Sequence, residues 1–324
     1  FFNTAYQTGI SKPFRWILTK NNDLVILTFH RVSDDVDPMW SPMPIASFRS
    51  LMEELVKTFR IIDIDSVSRL PDSPGPPFMA LTFDDGYLDH YNNVFPILDK
   101  HKIQGSFYVA SKAITEHTVL DINQIHFILA SADNILKLVG EIKELMKIHQ
   151  KEYNLKDFDY YYRKLAHASS IDTKEVIFIK KLLQVELVED LRMKILNILL
   201  EKYVEVSEDK FSRELYMNEE QLKHMLRSGM HIGNHGYNHY WWNHLSKKQM
   251  KSELDLSINF LNNLGVDMDN WTACYPHGSY DEQSIKMLEN RGCKLAFTID
   301  SGVCTLSQES RLKIPRYDTN DFPQ

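Results

Sequence analysis

The feature that most constrains the fold of this chain is a short apolar run, bounded by turn-forming residues, that recurs along the sequence. Continuous rather than alternating apolarity is typical of strands buried on both faces, as in a parallel sheet covered by helices. Apolar residues at helical spacing lie between many of these runs, which predicts an alternation of strands and helices. The predicted strands are residues 24–29, 78–83, 105–109, 231–233, 271–275, 295–299 and 312–314, and the predicted helices are residues 45–59, 91–101, 218–228, 247–264 and 281–291. Residues 63–64 are predicted to add a short strand, and residues 71–77 a turn-rich loop.

One long segment interrupts this alternation. Between about residues 112 and 215 no run is typical of a strand, whereas residues 122–148 and 176–204 carry apolar residues at helical spacing. We interpret residues 112–215 as a helical insertion in an α/β domain formed by residues 1–111 and 216–324. The length of 324 residues allows this division, because one α/β barrel takes up about 250 residues.

Composition excludes several classes of protein. The net charge of -7 argues against a nucleic-acid binder, which would carry a basic stripe. The three cysteines are odd in number and lack CxxC spacing, which argues against a disulfide framework and favours a reducing compartment, so we expect a cytoplasmic protein. No apolar stretch approaches the roughly 18 residues of a membrane span, and residues 12–20 are too interrupted by basic residues for a signal peptide.

Two adjacent carboxylates, Asp84 and Asp85, follow the apolar run that ends at Phe83, in the stretch TFDDG at residues 82–86. The end of a buried strand is a costly place for charge, because an unpaired buried carboxylate is strongly destabilising. A bound metal or a role in proton transfer accounts for the pair better than packing does. For this motif alone, an Asp-Asp-Gly turn with helix capping is the alternative.

Two histidines four residues apart, His235 and His239, follow another apolar run in the stretch HGYNH. Imidazoles at this spacing can share a metal, although such a pair is weak evidence in a chain with thirteen histidines. Together with one carboxylate they form a set that suits Zn²⁺ or another divalent transition metal, with positions open for water and substrate. The two tryptophans that follow, Trp241 and Trp242, either stack on a ligand bound near the metal or pack under the barrel rim.

The stretches TFDDG and HGYNH resemble, in order and placement, the motifs of the NodB-type polysaccharide deacetylases, the carbohydrate esterases of family four. The resemblance covers roughly residues 24–111 and 216–317 and implies a distorted (β/α)₇ barrel, with the helical insertion outside it. It implies Asp84 as the general base, and Asp85, His235 and His239 as the metal ligands. The implied activity is removal of N-acetyl groups from an amino sugar in a polysaccharide or glycan precursor.

A third stretch, CYPH at residues 274–277, is similar to the family's Arg-x-Pro-Tyr motif but departs from it. In the family the backbone N–H of the last position binds the oxyanion, and His277 can retain that role whatever its side chain. The arginine that orients the base is replaced by Cys274. Arg316, after the last predicted strand, is the candidate substitute by a hypothesis of proximity, and a surface arginine is the alternative.

The family also places a histidine late in the chain as general acid, but no Leu-x-His motif follows Thr298. The run of residues 24–29 instead ends in His30, which resembles the circularly permuted deacetylases that act on poly-N-acetylglucosamine. In those proteins the strand of the acid comes first, so the resemblance implies His30 as the general acid. An ordinary histidine at the end of a strand is the alternative.

All of these motifs follow predicted parallel strands, whose carboxyl ends form one face of an α/β barrel. We therefore expect them to meet in one site, where water activated by the metal attacks an acetamide, Asp84 accepts a proton and His30 protonates the leaving amine. Deformylation, hydrolysis of an O-acetyl ester and a non-catalytic glycan-binding barrel stay open as alternatives. The expected partner is an N-acetylated sugar, with no nucleic acid, and the sequence specifies neither which sugar nor the oligomeric state.

Overall fold

The computed structural model describes residues 24–35, 41–69, 76–168, 172–304 and 311–319. The basic segment at residues 12–20 and most of the predicted loop at residues 71–77 lie outside these ranges. Within the described residues the sheet has eight strands, which are β1 Leu24–Phe29, β2 Arg60–Ile61, β3 Phe78–Phe83, β4 Gly105–Val109, β5 His231–Asn234, β6 Ala273–Cys274, β7 Ala296–Phe297 and β8 Tyr317–Asp318.

The helices are numbered in chain order. They are α1 Ile45–Thr58, α2 Phe95–His101, α3 Ser111–Thr115, α4 Asp121–Ser131, α5 Ile135–His149, α6 Phe158–Leu165, α7 Lys174–Lys181, α8 Glu189–Val204, α9 Glu208–Leu215, α10 Glu219–Arg227, α11 Lys247–Leu264 and α12 Glu282–Asn290. Turns of 3₁₀ helix occur at Ile64–Arg69, Trp242–His244 and Pro276–Gly278, and π-turns at His90–Val94 and Leu182–Glu186.

The strands form a parallel sheet in the order β7-β6-β5-β4-β3-β1-β8, and β2 pairs with the start of β3. The segment that ends in β8 also reaches the other end of this order. Ile314 forms a parallel bridge with Phe297 of β7, and the Arg316 N–H donates to the Asp300 carbonyl at 2.9 Å. The sheet thus closes on itself, which confirms the predicted distorted barrel.

Alternate residues of the strands belong to two separate cores, as expected for strands buried on both faces. In β1, Val25, Leu27 and Phe29 pack in a core shared with the surrounding helices. Leu24 and Ile26 belong instead to a cluster built from residues of several strands, on the inner side of the barrel. Each such side chain contributes about 1.5–3 kcal/mol through removal from water.

The strand register sets where the site lies. Phe29 of β1 pairs with Phe83 of β3, and Val109 of β4 with Asn234 of β5. Because the pairs are parallel, the residues that follow these strands meet at one end of the barrel.

Helix α11 lies behind this end of the sheet and starts and stops at clear signals. Ser246 and Gln249 form a reciprocal capping box at its start, and Gly265 ends it with a left-handed φ of 90°. Its buried face includes Met250 and Leu254 and, unexpectedly for an apolar face, Glu253.

Residues 117–212 form a second compact unit with its own apolar core, supplied by helices α4 to α8. Each predicted helical stretch is divided in two. Asn134 accepts hydrogen bonds from the N–H groups of Leu136 and Lys137 and so starts a new helix, α5. A π-turn, Leu182–Glu186, separates α7 from α8. The domain division at residues 112–215 drawn from the sequence stays a prediction.

Two predicted strands are misplaced. Residues 63–64 do not form the predicted strand, because Ile64 starts a 3₁₀ turn and its N–H donates to the side chain of Gln104 at 3.0 Å. The last strand is Tyr317–Asp318 rather than residues 312–314. Ile314 makes only an isolated bridge, because the next residue, Pro315, has no N–H to extend a ladder. In the described part of the chain no helix is long and apolar enough to span a membrane.

Candidate functional site

Three side chains that follow β3 and β5 converge on one point. Oδ1 of Asp85 lies 3.4 Å from Nε2 of His235 and 3.3 Å from Nε2 of His239, and the two Nε2 atoms are 3.2 Å apart. All three side chains are buried. One carboxylate and two imidazoles facing one another are the donor set of a divalent transition-metal site, so the residues fit the metal that the sequence predicts.

The hydrogen bonds around His235 fix which of its ring nitrogens faces the other donors. Nδ1 lies 2.9 Å from the carbonyl oxygen of Cys274, which can only accept, so Nδ1 carries the proton. A metal bound beside Asp85 would therefore be held by Nε2 of His235, with the ring in its neutral form. Burial alone would raise the pKa of the Asp85 carboxyl, but the two imidazoles hold it well below its usual range.

The backbone at two of these three residues is left-handed. Asp85 has a φ of 72° and His239 a φ of 63°, and Gly86, with a φ of 76°, continues the turn after β3. A Cβ at Gly86 would meet the Cγ1 atom of Val109 at 3.0 Å, so glycine also permits close packing against β4. Backbone strain of this kind persists where the surrounding structure holds a functional side chain in place.

The loop between the two histidines is held by Glu253, a residue that sequence reasoning missed. Oε2 of Glu253 accepts hydrogen bonds from the N–H groups of Tyr237 and Asn238, each at 3.0 Å, and Oε1 accepts one from the Asn238 side chain. The Gly236 N–H donates to the Asn234 side chain at 2.7 Å. Burial raises the pKa of the Glu253 carboxyl. A charged residue on the buried face of a helix was the available signal.

The second aspartate of the motif, Asp84, forms a buried ion pair with Arg316. Nη1 of Arg316 donates to Oδ1 of Asp84 at 3.0 Å, and Nη2 donates to Oδ2 at 2.7 Å. Such two-point pairing fixes both the position and the rotation of the carboxylate. Although burial would raise the pKa of Asp84, the Arg316 guanidinium holds it well below its usual range. The arginine proposed from the sequence therefore contacts the proposed base.

Cys274 also lies against this pair. Its thiol is 3.3 Å from Oδ2 of Asp84, and Nη2 of Arg316 is 2.9 Å from its sulfur. Asp84, His235 and Cys274 thus form a second cluster of possible metal donors. Because the Arg316 cation already neutralises Asp84, the cluster of Asp85 and the two histidines is the better donor set for a metal.

His30 follows β1 at the same end of the barrel. The Asp84 N–H donates to the Phe29 carbonyl at 3.0 Å, which places His30 next to Asp84 across the β1–β3 pair. The imidazole is partly exposed, and its Nδ1 lies 3.5 Å from Oδ2 of Asp318 in β8. A partly exposed imidazole beside a carboxylate can exchange protons with a bound molecule.

His277 follows β6 in the turn Pro276–Gly278, with a left-handed φ of 55°. Its ring centroid lies 4.4 Å from that of His239, and the ring stacks on Trp241 with centroids 4.7 Å apart. Trp242 is fully buried and packs edge-on against Tyr275. Trp241 therefore lies at the site, where it could stack on a ligand, whereas Trp242 packs in the core.

All seven residues predicted for the site belong to the same compact unit, and the structure places them at one end of the barrel. The residues are the three possible metal ligands, the two members of the buried ion pair, and His30 and His277 beside them. The chemical role of each stays a prediction. The arrangement offers a place for a metal, an ionised carboxylate and a partly exposed imidazole, which together suit hydrolysis.

Comparison with known sequences identifies the family. The profile of the polysaccharide deacetylase family matches residues 72–155 and 185–296, more than half of the chain. The matched ranges contain Asp84, Asp85, both histidines of the HGYNH stretch and His277, but neither His30 nor Arg316. They also extend into residues 112–215, which the motif resemblance had left outside.

Similarity to an individual protein agrees with this family. The polysaccharide deacetylase homologue YxkH of Bacillus subtilis (strain 168) is 29% identical over 93 residues, and the match covers 29% of this chain and 33% of YxkH. The matched part thus spans about a third of the length of that relative.

Two solved structures share the fold. IcaB from Ammonifex degensii superposes with a TM-score of 0.56 at 16% identity, over 93% of this chain and 94% of that one. The Streptococcus pyogenes deacetylase PplD in complex with acetate superposes with a TM-score of 0.54 at 15% identity, over 91% of this chain and 92% of that one. The profile match over more than half of the sequence shows that this chain belongs to the polysaccharide deacetylase family.

Proposed function

We propose that the chain is a metal-dependent hydrolase that removes N-acetyl groups from an amino sugar in a polysaccharide or glycan precursor. The observation that carries this proposal is the convergence of Asp85, His235 and His239 beside the ion-paired Asp84. The set offers three metal ligands and a separate carboxylate base, which hydrolysis of an unreactive amide requires.

The metal would be held by Oδ1 of Asp85 and by the Nε2 atoms of His235 and His239. The proton on Nδ1 of His235, which is donated to a backbone carbonyl, leaves Nε2 available for this purpose. The donor types suit Zn²⁺ or another divalent transition metal. When bound, such an ion lowers the pKa of water and polarises the acyl carbonyl.

Asp84 would accept a proton from the attacking water. Arg316 keeps the Asp84 carboxylate ionised and fixes both of its oxygens, so the base is unprotonated and held in one orientation. Arg316 thereby takes over the role of the arginine that Cys274 replaces. The support for this role is the two-point contact and the complete burial of the pair.

His30 would act as the general acid, and the backbone N–H of His277 would donate to the oxyanion. Water oxygen bonds to the acetyl carbon, and the C–N bond breaks as His30 delivers a proton to the nitrogen. Asp84 then carries the proton taken from water, and its transfer through solvent to His30 resets both groups. The products are acetic acid, which ionises, and the free amino sugar.

The choice of an acetyl group and of a sugar comes from the family. PplD is a deacetylase whose structure contains acetate, which supports acetate as the product. Strand β1, which precedes His30, is the first described strand and pairs with both β3 and β8. This order supports the circularly permuted subgroup and, with it, a poly-N-acetylglucosamine type of substrate.

The test is an assay of acetate and free amine released from N-acetylglucosamine oligomers, with metal analysis of the same samples. Chelation is expected to abolish release, and added Zn²⁺ to restore it. Asp85→Ala is expected to lose metal and activity together, whereas Asp84→Asn keeps metal but loses turnover. Formate or a free hydroxyl among the products would overturn the N-acetyl assignment. A protein without metal or turnover after metal addition would support a non-catalytic barrel.

A further inference from the structure

The main chain that follows β1 is held by a buried histidine. Nε2 of His90 donates to the carbonyl oxygen of His30, which fixes the protonated nitrogen of the His90 ring. The ring is fully buried between Phe83 and Phe107. Within the described residues its other nitrogen, Nδ1, has no hydrogen-bond partner. Nε2 also lies 3.8 Å from Oδ1 of Asp89, and the hydrogen bond that the buried ring supplies goes to the main chain of His30.

The next two residues of the same segment are held as well. The Asp89 carboxylate accepts from Nε of Arg31 at 2.5 Å and from the N–H of Val32 at 3.5 Å. The Asn93 side chain donates to the carbonyl of Val32 at 2.9 Å. One short stretch of chain thus bonds to the main chain of His30 and Val32 and to the side chain of Arg31.

That stretch begins four residues after the metal-type ligand Asp85. It includes the π-turn His90–Val94, and such turns are frequent at functional sites because they alter the direction in which side chains point. Here Asp89, His90 and Asn93 all face the segment after β1. The element that follows the ligand loop therefore also fixes the backbone of His30.

We propose that Asp89, His90 and Asn93 are positioning residues that lock the main chain of residues 30–32 and so aim the His30 imidazole at the leaving nitrogen. This inference rests on the proposed function of His30 as the general acid. None of the three residues needs to touch the substrate. Their effect is to restrict the geometry of proton delivery, and small displacements of a catalytic group have large effects on rate.

The inference has a chemical signature that general damage to the fold does not share. Cleavage of an acetamide requires a proton on the leaving nitrogen, whereas the phenolate of an aryl acetate leaves without one. Misplacing His30 should therefore lower amide turnover more than aryl-ester turnover. The readout is the ratio of kcat for an N-acetylglucosamine oligomer to kcat for 4-nitrophenyl acetate, measured on the metal-loaded protein.

His90→Phe keeps an aromatic ring in the buried position and removes the donor, and we expect the ratio to fall about tenfold. His90→Gln, which retains a donor, should recover part of the loss. His30→Ala is the reference and should lower the ratio by about 100-fold or more. His126→Phe is the matched control, because it replaces a buried histidine of the second unit, and it should leave the ratio unchanged.

The outcomes separate this inference from the function on which it rests. If His30→Ala lowers the ratio and His90→Phe does not, the positioning role is overturned while the acid assignment stands. If His30→Ala itself leaves the ratio unchanged, the acid assignment fails first. Circular dichroism checks that each variant is folded. If His90→Phe does not fold, Asn93→Ala tests the inference instead. Asn93 is partly exposed, and its replacement removes one hydrogen bond to the same segment, so the ratio should again fall.

Discussion

Arg316 and Asp84 are 232 positions apart in the sequence and form two hydrogen bonds, at 3.0 and 2.7 Å. Arg316 is 1% exposed and Asp84 2% exposed. The guanidinium also donates to the hydroxyls of Thr28 in β1 and Thr82 in β3, at 2.9 and 3.1 Å. One side chain from the closing segment thus joins two strands of the barrel and fixes the proposed base.

We expect Arg316→Met to reduce both stability and turnover. The change leaves the Asp84 carboxylate buried and unpaired, which costs about 3–5 kcal/mol of unfolding free energy. It also frees the carboxylate to rotate, so kcat for acetate release should fall by at least about 100-fold. Arg316→Lys should recover part of the stability but little of kcat, because an ammonium group cannot donate to both oxygens in the same geometry. Urea denaturation and the release assay measure the two effects.

A matched control separates the loss of a buried arginine from the loss of its contact with the base. Arg192 is 6% exposed and pairs with Asp121 and Glu189 in the second unit. Arg192→Met should lower the free energy of unfolding but leave kcat of the folded protein unchanged. A wild-type kcat in Arg316→Met would show that Arg316 serves the fold alone.

Glu253→Ala should weaken metal binding without removing a ligand. The Glu253 carboxylate holds the N–H groups of Tyr237 and Asn238, in the loop between His235 and His239. Residues that hold metal ligands in place without contacting the metal typically increase the affinity for the metal by about 10–100-fold. We therefore expect the Kd for Zn²⁺, measured by competition with a chromophoric chelator, to rise by about that factor.

The control for this variant lies on the same helix. Asp255 is exposed and pairs with Arg291 on the surface, so Asp255→Ala should leave the Kd for Zn²⁺ unchanged. Equal Kd values for Glu253→Ala and the wild type would exclude the proposed role of Glu253 in orienting the ligand loop.

Much of the barrel is predictable from sequence because its strands are buried on both faces. The runs at Leu24–Phe29, Phe78–Phe83 and Gly105–Val109 have the predicted bounds, since a short run without charged positions is typical of a strand covered by helices. The closing strand is different. Tyr317–Asp318 is two residues long, half-buried and polar, so its sequence carries no comparable signal.

The residues of the site also differ in how well the sequence predicts them. The Asp-Asp and His-x-x-x-His spacings indicate their chemistry because both motifs are local in sequence. The position of Glu253 on a buried helix face marks it as unusual but does not identify its partners, which belong to a loop fifteen or more positions away. Long-range contacts to backbone groups depend on the packing of a helix against a loop, which no residue pattern specifies.

The raised pKa of Glu253 predicts a pH dependence of stability. The folded state binds a proton at pH values where the unfolded carboxyl, with a pKa of about 4.3, has already lost it. The contribution of this group to the free energy of unfolding therefore falls as pH rises from about 4.3 to the folded pKa. Glu253→Gln cannot ionise, so its stability relative to the wild type should increase across that window.

The measurement is urea denaturation of both proteins at a series of pH values, with a chelator present so that metal binding does not contribute. The difference between the two free energies of unfolding is the quantity of interest, because other carboxyl groups titrate equally in both proteins. A difference that is constant with pH, or that changes in the opposite direction, would mean that burial does not dominate the environment of Glu253.

The turn at His277 gives a prediction in which the smaller side-chain change is the more harmful one. If His277 acts through its backbone N–H, His277→Gly should keep kcat within about threefold of the wild type, because glycine readily adopts the φ of 55°. Loss of the stack on Trp241 should appear as a higher KM.

Gly278→Ala adds one methyl group, but its Cβ would lie 2.2 Å from Cγ1 of Ile299 and its φ of 64° disfavours alanine. Either the exposed Ile299 side chain or the turn must move to relieve this contact. We expect the turn to move and to displace the N–H of His277, so kcat should fall by at least about tenfold. Steady-state kinetics of acetate release from the same oligomer distinguish the two variants. A loss of kcat in His277→Gly as large as in Gly278→Ala would instead assign the role to the imidazole.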